Sequence, residues 1–349
     1  MSVFSHPDFD GHEAVTFAHD AESGLRAIIA VHNTNRGPAS GGTRFWTYAS
    51  DADALTDALR LSRAMSYKNA VARLSIGGGK GVIMRPKGVF DREALFRAYG
   101  RAVNDVAGTY ITAEDVGVSP SDMATIKTQT DFVAGLPETS GDPSPVTAEG
   151  VFRGIRVAAK RAFGSDDLSG RRVAVQGLGH VGYALAEHLH KAGAKLVVAD
   201  INEAVLDRAR TELSARVVAP EAIHAQDVDI FAPCALGGAV SPKTLPQISA
   251  RVIAGAANNQ LSAPNMAEAL TRAGKLYAPD YVINAGGIIN VDAEVSHDRY
   301  DPAWVQGKLD ELEDTLGEVF DRAKAEGETT VAVADALARK RLAEVRDWR

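Results

Sequence analysis

The feature that most restricts this chain is an apolar strand that runs directly into spaced glycines and then a helix. Arg172-Val173-Ala174-Val175-Gln176 is followed without a break by Gly177-Leu178-Gly179-His180-Val181-Gly182. The pattern predicts a helix over 181–193 and a second strand over 195–200. That strand closes on Asp200, 200 − 177 = 23 residues after the first glycine. Gly177 suits a tight turn, Gly179 lets the main chain approach a pyrophosphate, and Gly182 lets the helix pack close to the strand. The helix N-terminus, from His180 and Val181, offers unpaired N–H groups and partial positive charge to phosphates. Asp200 can accept hydrogen bonds from the ribose hydroxyls of an adenosine. A 2′-phosphate there would face a carboxylate with no basic residue immediately after it, so NAD is expected over NADP. Three glycines alone can be a turn; strand, glycines, helix, strand and acid in this order make a specific motif.

Beyond the motif, short strands near 229–232 and 252–254 alternate with helical stretches such as 202–213. That order predicts a Rossmann-type, doubly wound parallel sheet with helices on both faces. A chain of 349 residues holds more than this one unit, given about 150 residues per domain. The first half has its own rhythm: a hairpin signal at 14–17 and 25–31, a glycine-rich stretch at 37–42, and a helix over 51–71. A glycine run at 77–81, read as a loop, a helix over 91–106 and a strand at 110–112 follow. The Pro/Gly/Ser-rich stretch 136–146 is the candidate linker, and the charged, periodic segment from 303 predicts helix.

Composition narrows the class. Apolar residues make up 45% of the chain, enough for a sizeable core. Lys+Arg 38 against Asp+Glu 45 gives a net charge of −7, which argues against nucleic-acid or anionic-membrane partners. One cysteine, Cys234, excludes an internal disulfide and fits a reducing compartment. His6, Asp8 and Asp10 stand where a signal peptide needs an apolar run, and no apolar stretch is long enough to span a bilayer. A cytoplasmic location is expected.

Gly77-Gly78-Gly79-Lys80-Gly81 superficially resembles a phosphate-binding P-loop, but Leu74 stands where its first glycine belongs and Gly81 replaces the Ser/Thr that would hold magnesium. A different reason is expected for these glycines: to let substrate and cofactor reach the main chain beside Lys80. Lys68 lies on the preceding helix and Asp115 ends the following strand. Two lysines brought together, with burial, would depress at least one pKa and allow a general base. The competing reading is two solvated surface charges.

Six segments in register, Gly37–Arg44, Lys68-Asn69-Ala70, Gly77–Lys80, Thr112–Gly117, Phe231–Ala235 and Asn284–Gly287, give the chain a resemblance to the glutamate/leucine/phenylalanine/valine dehydrogenase family over nearly its whole length. The resemblance implies reversible oxidative deamination of an L-amino acid with NAD⁺ and water to a 2-oxo acid, NADH and ammonia. It implies Lys80 as the base that activates water, Asp115 as the proton-shuttling acid/base and Lys68 as the cation for the substrate carboxylate, with backbone near Gly41 and Gly42 lining the site. Thr147 and Asn259 would contact the nicotinamide end. Two α/β domains are implied: 1–145, with the C-terminal helix 326–349, for substrate and oligomerisation, and 146–325 for NAD, with the active site in a cleft. Homo-oligomers are usual in such a family.

Positions implied to line the side-chain pocket are Ser40, Met65, Ala113, Ile288 and Val291. None is basic, so an aliphatic substrate such as leucine, isoleucine or valine is expected rather than glutamate. Ala113 and Ile288 leave limited room for an aromatic ring, although phenylalanine or another hydrophobic amino acid remains the alternative, since a methylene is worth only about 1–3 kcal/mol. A non-catalytic NAD-binding regulator has no need of Lys68, Lys80 and Asp115 together. A hydroxy-acid dehydrogenase would want a His–acid pair, and none is evident. No metal site is expected: His188 and His190 point to different helix faces, Asp227 and Asp229 read as polar strand edges, and Cys234 reads as a buried thiol.

Overall fold

The computed structural model describes residues 3–136, 141–296 and 300–345. The chain divides into two compact units, one of residues 1–142, 291–302 and 337–349, the other of 143–290 and 303–336.

The first unit begins with a hairpin, β1 (Ala14–Asp20) and β2 (Leu25–Asn33), paired antiparallel around the expected turn. β3 (Ala39–Trp46), α1 (Asp51–Val71), β4 (Gly77–Met84), α2 (Arg92–Asp105), β5 (Tyr110–Glu114) and α3 (Pro120–Lys127) follow. The five strands lie in the order β1-β2-β4-β3-β5, antiparallel on the β1 side and parallel from β4 through β3 to β5. Strand β2 is continuously apolar from Ala27 to Val31 because both faces are covered there. Ile28 and Ala30 pack with Ala54 and Ala58 of α1 and with Val82. Leu25, Ala27, Ile29 and Val31 pack with Leu95, Phe96 and Tyr99 of α2 and with Ile126 of α3. Side chains alternate along a strand, so Lys80 shares Val82's face of β4, under α1.

The glycine run 77–81 is not a loop. It is the first part of β4, hydrogen-bonded between β2 and β3. Nor do its glycines clear the way for a ligand. A Cβ on Gly78 would lie 2.1 Å from the Ser66 nitrogen of α1, and one on Gly81 would lie 2.0 Å from the Tyr99 hydroxyl. A Cβ on Gly77 would meet the Asn33 carbonyl at 2.1 Å, and one on Gly79 the Tyr110 ring at 2.7 Å. The glycines let the protein pack against itself. The polar stripe of α1 takes part: Asn69 donates to the Gly77 carbonyl at 2.6 Å, and His32 Nδ1 and the Ser66 hydroxyl are 2.8 Å apart. The first bond pins the helix carrying Lys68 to the strand carrying Lys80, and the second pins it to the neighbouring β2.

The second unit opens with α4 (Ser144–Phe163), then β6 (Arg172–Gln176), α5 (His180–Lys191), β7 (Lys195–Ala199), α6 (Glu203–Leu213) and β8 (Arg216–Val217). β9 (Ile230–Pro233), β10 (Val252–Ile253), α7 (Met266–Arg272), β11 (Leu276–Tyr277) and α8 (Asp280–Ile283) come next. The expected linker therefore ends inside α4, and its residues 137–140 lie outside the described residues. α9 (Gly286–Val295), α10 (Pro302–Glu326) and α11 (Thr330–Leu342) complete the chain, the last two in the segment expected to be helical. The sheet order is β11-β10-β9-β6-β7-β8, every pairing parallel. This is the doubly wound sheet the alternation predicts, with chain order reversing between β6 and β9. Ligands in such sheets bind beyond the strand ends at that reversal. No helix among the described residues is long and apolar enough to cross a membrane.

Candidate active site

In the second unit the three motif glycines differ in what surrounds them. Gly177 has φ +93°, and a Cβ on it would strike Ala235 at 2.8 Å; a Cβ on Gly182 would lie 2.1 Å from the Gly177 carbonyl. Both are needed for the turn and for the seating of α5. Gly179 is exposed, and a Cβ on it would meet nothing within 4 Å. As N-cap of α5 it has no side chain to cap the helix, and the N–H groups of a helix start suit a phosphate. Leu178 is buried, while His180 is exposed and Val181 partly so. Asp200 accepts from the Leu178 N–H at 2.6 Å and from the Asn202 N–H at 2.8 Å. Two backbone bonds thus fix its carboxylate beside the glycine turn, and Ile201 after it is exposed and apolar. This donor set fits a dinucleotide.

The other cofactor candidates lie in the same unit. The Thr147 hydroxyl donates to the Pro143 carbonyl at 2.9 Å in the first turn of α4. Asn259 is exposed with φ +52°, and its carbonyl accepts from the Gly238 N–H at 2.7 Å. Cys234, expected as a buried thiol, lies just after β9 and is partly exposed; desolvation still pushes its thiol up to about 12, toward the protonated form. Asp227 and Asp229 pair with Arg172, and His188 stacks on Phe152.

In the first unit Lys80 is 5% exposed, and its Nζ donates to Asp115 Oδ2 at 2.6 Å. Burial pulls the Lys80 pKa below 10.5 against the opposing pull of Asp115. Burial would raise the Asp115 carboxyl, but Lys80 and then Arg44 outweigh it and hold that group below 3.8. Arg44 is a like charge acting on Lys80, lowering it further. Arg44 reaches Asp115 Oδ2 with Nε at 3.3 Å and Asp57 of α1 with Nη1 at 3.0 Å, and the Tyr48 hydroxyl donates to Asp57 at 2.6 Å. Arg44 is the charged group that reasoning from roles passed over, although it closes the first of the six family-like segments. Its signal was position: an arginine two residues beyond a glycine pair that flanks a buried lysine.

Lys68 is half-buried on α1, one turn from half-buried Met65. A Cβ on Gly41 would come within 3.2 Å of Met65 Cγ and 1.9 Å of the Gly79 carbonyl, and one on Gly42 within 2.8 Å of Asp115 Cβ. Glycine is thus the only residue that fits where β3 passes these side chains. The Gly41 carbonyl accepts from the buried Tyr110 hydroxyl at 2.6 Å. Ala113 is partly exposed. Ser40 differs from the other expected pocket residues: it is fully buried and its hydroxyl has no hydrogen-bond partner, so it does not open to a substrate. Ile288 and Val291, both partly exposed, stand three residues apart on one side of α9.

Residues 12–132 match the family model described as Glu/Leu/Phe/Val dehydrogenase, dimerisation domain. Residues 140–215 and 202–349 match that of the glutamate/leucine/phenylalanine/valine dehydrogenases. The chain belongs to this family. Leucine dehydrogenase of Geobacillus stearothermophilus is 49% identical over 352 residues, covering 100% of this chain and 95% of that protein. Valine dehydrogenase of Streptomyces coelicolor is 45% identical, covering 99% and 96%. The crystal structure of L-tryptophan dehydrogenase from Nostoc punctiforme superposes with a TM-score of 0.86 at 43% identity, covering 95% of this chain and 96% of that one. The protein is an amino acid dehydrogenase, an oxidoreductase of a family that uses NAD(P).

Proposed function

We propose that the protein catalyses the NAD-dependent, reversible oxidative deamination of a branched-chain L-amino acid, leucine or a close relative, to its 2-oxo acid, NADH and ammonia. The observation that carries this reading is the buried Lys80–Asp115 pair, 2.6 Å apart, with the lysine biased by burial toward its neutral form. A bound nicotinamide supplies the acceptor for the hydride leaving the substrate Cα. Neutral Lys80 takes the proton of the water that attacks the resulting iminium carbon, and Asp115 relays protons to the departing ammonia. Lys68 binds the substrate carboxylate beside the Gly41–Gly42 backbone.

Asp200, anchored by two N–H groups and followed by an apolar residue, favours a free 2′-hydroxyl and therefore NAD. Gly177, Gly179, Gly182 and the start of α5 would take the pyrophosphate, and Thr147 and Asn259 the nicotinamide end. The expected division at 145 and 326 shifts with the compact units: 1–142, 291–302 and 337–349 would serve substrate and assembly, and 143–290 with 303–336 the cofactor. A cytoplasmic homo-oligomer fits the net charge, the lone cysteine and a match to a model described as a dimerisation domain.

Met65, Ala113, Ile288 and Val291 present no cation to a side-chain carboxylate, which supports an apolar substrate over glutamate. An aromatic substrate is the second reading, because the chain is 47% identical to L-tryptophan dehydrogenase of Nostoc punctiforme. Absorbance at 340 nm with NAD⁺ and leucine, valine, phenylalanine, tryptophan or glutamate decides between them. Highest turnover with leucine or valine is expected. A preference for glutamate would overturn the pocket argument, and no NADH from any amino acid would overturn the reaction.

A further inference from the structure

The Lys80–Asp115 pair does not end at Asp115. The same oxygen that accepts from Lys80 at 2.6 Å also accepts from Arg44 Nε at 3.3 Å. Arg44 in turn grips Asp57 with both carboxylate oxygens in reach of Nη1, at 3.0 and 3.3 Å, and Asp57 accepts from Tyr48. Four charges thus alternate in sign from Lys80 to Asp57. Arg44, Asp57 and Asp115 are each about three-quarters buried. Burial, then its bond to Asp57, raises the Tyr48 hydroxyl far above its usual range, so it stays a donor.

A base must exist in two charge states during turnover. With Lys80 protonated, Asp115 has a counter-ion in contact. When Lys80 is neutral, ready to take a proton from water, Asp115 keeps its negative charge in a largely buried place. A buried carboxylate without a partner costs several kcal/mol, and that cost would fall on the lysine as resistance to losing its proton. Arginine is suited to remove it, because it stays charged at every working pH and its planar fork spans two carboxylates.

We propose that Arg44 is a positioning residue of the active site: it holds the Asp115 carboxylate and remains its counter-ion once Lys80 has given up its proton. This deepens the reading above and rests on Lys80 acting as base. In the proton step the water O–H proton passes to Lys80 Nζ, the lysine becomes an ammonium, and Asp115 and Arg44 keep their charges. Asp115 just after β5, Arg44 on β3 and Asp57 on α1 all act on Lys80. Lys68 also belongs to α1, and Lys80's partner across β2, Ala30, carries no charge.

The test compares the full chain with Arg44→Gln and Arg44→Lys. Competitive acetylation by acetic anhydride across pH, read at Lys80 by peptide mass spectrometry, follows the neutral amine without requiring turnover. The titration should move up by about one unit in Arg44→Gln. The kcat for leucine at mildly alkaline pH should then fall about tenfold, recovering at higher pH, with KM for leucine little changed. Arg44→Lys should recover most of the shift. A residue that only braces the fold would lower kcat at all pH values and leave the titration in place. An unmoved or downward-moved Lys80 titration in a folded Arg44→Gln protein overturns the proposal. If glutamine prevents folding, Arg44→Met keeps the packed stem and carries the same prediction. If the wild type forms no NADH from any amino acid, the acetylation titration still decides the role of Arg44.

Discussion

The two glycine clusters, 77–81 on β4 and 177–182 between β6 and α5, use the same residue for different physical ends. On β4 every glycine is answered by the protein's own atoms: Ser66 against Gly78, the Tyr110 ring against Gly79, Tyr99 against Gly81. The strand is stripped of side chains so that α1 can close on one face and two tyrosines on the other, and Lys80 is left buried under α1. In the second cluster only the outer glycines are filled in this way, and Gly179 faces open space at the start of a helix. Removing Cβ atoms buries an amine in one place and keeps a phosphate site clear in the other.

The largest effect that tests this contrast falls on the residue the first cluster encloses. Lys80→Ala should lower kcat about a thousandfold, as loss of a general base does, while NADH still binds. Steady-state kinetics and NADH fluorescence titration measure the two together. Next is Gly78→Ala, whose new Cβ would collide with α1 backbone. It should cost about 3 kcal/mol of stability, read as a lower urea midpoint. A midpoint equal to the wild type would show that α1 yields and that the packing argument is wrong.

Smaller is Gly179→Ala. Stability should change by less than about 0.5 kcal/mol, because the new methyl meets no protein atom. NADH affinity should fall about tenfold, the equivalent of 1.4 kcal/mol. If Gly179→Ala unfolds the protein while Gly78→Ala does not, the two clusters have been assigned the wrong way round. Smallest is Tyr110→Phe, which frees the Gly41 carbonyl. It should raise KM for the amino acid by about fivefold, since a typical hydrogen bond is worth about 1 kcal/mol. Unchanged KM would detach Gly41 from substrate binding.

How much could be read from sequence follows the same divide. The hairpin, the helix over 51–71, the strand at 172–176 and the Rossmann alternation carry their information locally, in periodicity and in glycine spacing. The structure returns them nearly residue for residue. β4 does not announce itself as a strand, because glycine is poor in strands unless something approaches closely. What approaches is Ser66 and Tyr99, neither of which is adjacent to the run. Arg44 escaped for a related reason: its importance lies in Asp57 and Asp115, which only the β3–α1–β5 arrangement brings within reach. Helix α4 begins inside the Pro-rich stretch because proline is tolerated in a first helical turn. The two-residue strands β8 and β11 are too short to leave a pattern.

The claim on which the rest stands is that burial makes Lys80 a base at a pH where an exposed lysine would still be charged. Because burial disfavours the ammonium, the neutral fraction must grow as pH rises, with a midpoint below 10.5. The direct measurement is kcat for leucine-dependent NADH formation from neutral to strongly alkaline pH, in the wild type and in Lys80→Ala. We expect an ascending limb centred below 10.5 in the wild type and no such limb in the residual turnover of the variant. A wild-type rate indifferent to pH, or the same limb and rate in Lys80→Ala, would contradict it.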